Sequence, residues 1–168
     1  IHDFSITSPE GADLTDSLLA HQGYVFLIIS PNLTLASRSG FDALTPMALR
    51  ARELGFTVYG LTASAGDQVE AFTREVSPPY AFCTADETTL KTMIRANPGV
   101  MLLHAGTVVG KWNYRDAPEA SELKANLLSV VMLKDEKYGN TLKTVLLACA
   151  AALLYALFFR ALPLFCKK

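Results

Sequence analysis

The stretch from Met93 to Trp112, MIRANPGVMLLHAGTVVGKW, constrains the fold more tightly than any other part of the chain. It reads as a helix end, an Asn97-Pro98 junction, an apolar strand, a two-residue Ala105-Gly106 turn and a second strand closing on Trp112. Strands joined by so short a connection are antiparallel neighbours, so a β-hairpin is expected here. A proline at the mouth of the first strand removes no ladder donor, which is why the position tolerates it.

Upstream, strand and helix patterns alternate. Asp3 to Thr7 (DFSIT) alternates apolar and polar residues as a half-buried strand does, and SPEGAD supplies a turn. A short helix is expected around Leu14, Leu18 and Leu19, closed by Gly23. YVFLIIS (Tyr24 to Ser30) and FTVYGLT (Phe56 to Thr62) are rich in β-branched and aromatic residues, the pattern of strands covered on both faces. Between them, Thr45 before Pro46 fits an N-cap and first helical residue, with Gly55 as the stop. One longer helix from near Ser37, kinked at Pro46, fits the same residues.

GDQVEAFTREV forms the next helix, and a short extended piece follows it. The helix after that carries Leu90, Met93 and Ile94 on one face, opened by a Thr84/Glu87 capping box. Beyond the hairpin, Ala117 to Leu133 is expected to be helical, with Leu123, Leu127 and Val130 or Val131 toward the core. Strands joined through helices are parallel, so the order predicts an α/β fold: a mixed sheet flanked by helices, over residues 1–133.

Residues 134–144 read as a charged linker. From Val145 to Phe159 no residue is charged, and after Arg160 the apolar character resumes to Cys166. As one helix, Val145 to Cys166 would be about 33 Å long, enough to cross a hydrocarbon core of about 30 Å. The run is apolar on every face, which a helix packed on a small domain rarely is. A transmembrane helix over 145–166 is the expectation, with the membrane as partner; a buried helix of a soluble protein is the alternative. Lysines flank both ends, so the positive-inside rule leaves the orientation open. The chain begins at Ile1, and a longer parent protein is expected.

The formal net charge is −1 and there is no basic run, so nucleic acid is not an expected partner. The three cysteines, Cys83, Cys149 and Cys166, form neither a CxxC nor a zinc half-site. The histidines at 2, 21 and 104 fall in different elements. No metal or cofactor is expected.

The order of elements, with IRANPGVMLL followed by AGTVVGKW, resembles the thioredoxin fold. The opening HDFSITSPEGADLTDSLLAHQGYVFLIIS resembles the peroxiredoxin and TlpA-like branch of that family. The resemblance covers about residues 2 to 132. It implies that Pro98 is cis, where base rates for X-Pro favour trans. It also implies that the backbone before the proline lies open to an extended substrate beside the loop after the first core strand. Gly99 departs from the threonine usual after that proline. In the family that loop carries the redox cysteine at a helix N-terminus; here it reads SPNLTLASRSG and holds none. The cysteine-free loop, FCTADETTLKTMIRANPG and the appended apolar run further resemble Bacteroidetes membrane proteins related to DoxX, a membrane subunit of a thiosulfate:quinone oxidoreductase.

The resemblance implies a membrane-tethered, redox-inactive thioredoxin-like module that binds a partner or peptide. That partner is a separate protein or the membrane part of the same polypeptide, and the setting is a bacterial inner membrane with the domain in the periplasm. The binding-groove candidates are Pro31, Asn32, Asn97, Pro98 and Trp112, with Tyr114 as a further aromatic neighbour; Trp112 as a rim-of-core residue is the alternative. The competing reading is a single-cysteine sensor or peroxidase acting through Cys83, whose place before a helix start would favour the thiolate. It requires Cys83 to be exposed. A structural spacer is a third reading.

Overall fold

In the computed structural model, residues 4–124 and Leu147 are described. Residues 4–124 belong to the first of two compact units, Ile1–Leu128 and Ser129–Lys168. The elements are α1 (Thr15–Ala20), β1 (Tyr24–Ile29), α2 (Arg38–Glu53), β2 (Thr57–Thr62), α3 (Gly66–Val76), β3 (Phe82–Thr84), α4 (Glu87–Met93), β4 (Gly99–His104) and β5 (Thr107–Asn113). A single 3-10 turn, Ala120–Glu122, follows.

The two apolar runs become the middle of the sheet, whose strand order is β3-β2-β1-β4-β5. β1, β2 and β3 are parallel, while β4 runs antiparallel to β1 and β5 antiparallel to β4. Covering both faces explains why β1 alternates no polar residue: Val25 to Ile29 are all buried. One face packs Val25, Leu27, Ile29, Leu61 and Cys83 against Leu18 of α1 and Leu90 of α4. On the other, Phe41 of α2, Phe72 of α3 and Phe82 of β3 meet edge to face, with ring centres 4.7 to 6.3 Å apart. Such pairs add about 0.5–1.5 kcal/mol each beyond area burial.

The hairpin forms as its sequence predicts. Ala105 and Gly106 both have positive φ, 47° and 72°, the primed two-residue turn whose twist matches the flanking strands. A bulge between Leu102 and Leu103 shifts the register, opposing Gly110 and Val108 in turn.

Four expectations are corrected. Residues 4–7 are not a strand: Thr7 alone bridges Thr84, and Pro9, lacking an N–H, stands where the ladder would continue. Pro46 lies inside a single sixteen-residue α2, as the longer-helix alternative held, because Phe41, Leu44, Met47, Ala48 and Ala51 form one buried face through it. Thr45 caps nothing; its hydroxyl bonds the Phe41 carbonyl, and Ser37 is the N-cap, accepting from the Gly40 N–H. Asp86, not Thr84, caps α4, because Thr84 is still held in β3 by its paired bonds to Thr7. Leu19 is 45% exposed, since the six-residue α1 turns only Leu18 inward.

Gly55 ends α2 as expected, in a Schellman arrangement where Phe56 N–H bonds the Ala51 carbonyl and Gly55 N–H bonds Arg52. Of the helix expected over Ala117 to Leu133, the described part is the 3-10 turn with Leu123 buried beside it. Its remainder, the linker over 134–144 and, Leu147 apart, the expected span from Val145 to Cys166 lie outside the described residues. Among the described residues no helix is long and apolar enough to cross a membrane.

Candidate functional site

Where β1 ends and β4 begins, antiparallel pairing brings two loops together: Ser30 to Ser37 and Ile94 to Pro98. The Asn97–Pro98 peptide is cis. Gly40, in the first turn of α2, lets that helix approach the proline: a Cβ there would come within 2.9 Å of Pro98 Cδ and 3.1 Å of Tyr114 Cγ.

Asn97 ties the loops together through each of its side-chain groups. Its Oδ1 accepts from the fully buried Ser30 hydroxyl at 2.6 Å, and its Nδ2 donates to the Asn32 carbonyl at 2.8 Å. Its main-chain carbonyl accepts from the Ser37 N–H at 3.0 Å. The backbone that the resemblance leaves open to an extended substrate is therefore, at its carbonyl, already engaged within the domain. A third loop completes the latch, with Ser64 Oγ accepting from Leu33 N–H and Ala63 N–H donating to the Pro31 carbonyl.

Asn32 organises the tip of the first loop as an Asx turn. Its Oδ1 accepts from Thr34 N–H, Thr34 Oγ1 and Leu35 N–H at 3.0, 2.6 and 3.2 Å. The turn presents Leu35 outward, 78% exposed. Between this loop and α4 lies an open groove of about 300 Å³, lined by Pro31, Asn32, Leu35, Ile94, Ala96 and Asn97 with Glu87, Lys91 and Arg95 along the α4 side. Lys91 pairs with Glu87 at 2.8 Å, while Arg95 is exposed with no salt bridge among the described residues.

Of the expected groove residues, Pro31, Asn32 and Asn97 come together here. Pro98 is buried behind them against Gly40. Trp112 does not join them: it is 9% exposed, opposite Val100 on β5, with its ring over Gly110. The side chain on an edge strand is covered by its own strand's glycine, so the rim-of-core reading of Trp112 describes it. Leu35, Lys91 and Arg95 also line the groove, and no motif in the sequence marks them.

Cys83 sits in β3 with no exposure, among Ile6, Leu61, Ala85 and Leu90. Burial, with a smaller contribution from the charge of Glu10, pushes its thiol up to about 11. The expected thiolate-favouring environment is thus reversed, because β3 turns the sulfur into the core, where burial penalises the charged form. From Ser30 to Gly40 the loop offers hydroxyls and amides but no thiol.

No protein-family model matches the chain, and no curated protein matches it. Solved structures do. A thiol:disulfide interchange protein from a Bacteroides species is 16% identical at a TM-score of 0.51, with 64% of this chain and 75% of that one covered. A secreted disulfide oxidoreductase of Mycobacterium tuberculosis is 14% identical at 0.50, covering 77% and 94%. A thioredoxin-like protein from Aeropyrum pernix is 15% identical at 0.52, covering 76% and 86%. At these identities the likeness is one of fold. The described residues form a thioredoxin-like domain, a mixed α/β sheet with helices on its faces.

Proposed function

We propose that this thioredoxin-like domain is a redox-inactive binding module, working through the groove between the Pro31–Ser37 loop and α4. One observation carries the reading: the loop facing the cis-proline has no thiol, and Asn97 bolts that loop to the cis-proline segment at three points. The groove stays open beside this fixed junction, with an apolar floor and a charged rim. Such a surface binds without chemistry.

The single-thiol alternative through Cys83 is opposed by a sulfur with no exposure and a thiol held in its protonated form at neutral pH. The membrane belongs to the same proposal. The apolar run from Val145 to Cys166 supports a tether, and the resemblance to DoxX-related proteins supports a bacterial inner membrane with the domain on the periplasmic side.

Two assays on the full chain test this. In the reduction of insulin by dithiothreitol, the protein is expected to leave the rate of the reductant alone unchanged. Titrated with a reduced, carbamidomethylated unfolded protein, the backbone amides of Leu33 to Ser37 and Lys91 to Asn97 are expected to shift. Accelerated reduction that C83S abolishes, or no shift at those amides, contradicts the reading.

A further inference from the structure

We infer that the groove takes an extended acidic segment of a partner protein and reads it through side chains: a carboxylate against Arg95, an apolar side chain between Leu35 and Ile94. This rests on the binding-module reading above and names the chemistry of the occupant.

Charge points to the acid. The groove's one carboxylate, Glu87, is spent on Lys91, which leaves Arg95 on the rim as an exposed guanidinium. An exposed planar guanidinium is a ready donor site for a carboxylate, and a basic segment would meet like charge. Leu35 supplies the apolar wall. It is the most exposed large hydrophobic side chain among the described residues, yet the Asx turn of Asn32 fixes its backbone, so its exposure belongs to an ordered turn. Ile94 and Pro31, both buried, form the floor opposite.

Side chains carry the discrimination, since main-chain bonds are the same for every extended segment. The Asn97 carbonyl already accepts from Ser37 N–H, which leaves it one lone pair for a partner strand. The volume of about 300 Å³ suits a few extended residues, not a helix about 10 Å across. Walls on both sides favour a peptide over a flat lipid surface.

The test uses the full chain in zwitterionic micelles and three fluorescein-labelled hexapeptides, Gly-Asp-Leu-Glu-Leu-Gly and its Asn/Gln and Lys/Lys counterparts. Anisotropy gives affinity, and the amide shifts of Leu35, Lys91 and Arg95 give the place. The acidic peptide is expected to bind there, with the neutral one about tenfold weaker, the change that loss of a charge-assisted contact brings. R95E should weaken the acidic peptide and strengthen the lysine one, a gain that misfolding cannot produce. L35S should weaken acidic and neutral peptides alike. Equal binding of acidic and neutral peptides at those amides overturns the charge reading and leaves the binding module standing. No shift with any peptide overturns both. Shifts on adding phosphatidylglycerol to the micelles, with none from peptide, assign the patch to lipid and overturn the inference.

Discussion

Asn97 shows how one side chain decides what a loop junction does. As an amide it donates to the Asn32 carbonyl and accepts from Ser30 at once, which neither a carboxylate nor an aliphatic residue can do. Replacing it by alanine strands the buried Ser30 hydroxyl, so N97A is expected to lower stability by about 1–3 kcal/mol. A urea midpoint that falls at unchanged slope is the check. N97D is expected to be worse at neutral pH, because its carboxylate would face the Asn32 carbonyl. Asp86 is a simpler case. Bonds from Thr89 N–H and its hydroxyl hold its carboxyl below the ordinary 3.8, so its contribution to α4 is present above that pH and fades below it. D86A is expected to fray α4, read as faster amide exchange over Thr89 to Met93, while T84A leaves that exchange unchanged. The reverse result would restore Thr84 as the cap.

At the scale of elements, the sequence was most legible where the pattern was longest. β1, β2 and the β4–β5 hairpin could be read because continuous apolar runs and an Ala-Gly turn have few other uses. Short or punctuated pieces misled. Residues 4–7 alternate like a strand but bridge only through Thr7, and the proline in α2 looked like a helix start because propensity ignores tertiary burial. The five buried apolar side chains of α2 outweigh one missing N–H. That N–H would have bonded the carbonyl of Asp42, an exposed residue. P46A is therefore expected to raise stability by roughly 1–2 kcal/mol, the regained helix bond less the entropy returned to the unfolded chain. Thermal melts followed by circular dichroism would show it, and a lower midpoint would mean that the ring packs where it now stands exposed. The candidate site was legible in part. Pro31, Asn32 and Asn97 followed from the family resemblance, whereas Lys91 and Arg95 acquire meaning only once α4 is seen to face the Pro31 loop.

For the whole molecule, the fold and the chemistry part company. The sheet order, the cis-proline and the flanking helices are thioredoxin-like, yet the loop that would carry a reactive thiol carries hydroxyls, and Cys83 is built into the core. Its burial makes a stability statement. With the folded thiol raised to about 11 from the ordinary 9.0, the folded state holds its proton more tightly than the unfolded chain does. Stability from this group is complete below pH 9.0 and is lost as pH rises through about 11. The most direct measurement is timed alkylation of Cys83 in the full chain, followed by peptide mass spectrometry across pH, with and without denaturant. The account predicts negligible native labelling at neutral pH, rapid labelling on unfolding, and no sulfenic acid after peroxide. Fast native labelling with a midpoint below about 8.5, accompanied by sulfenic acid, would contradict it and make Cys83 a working thiol.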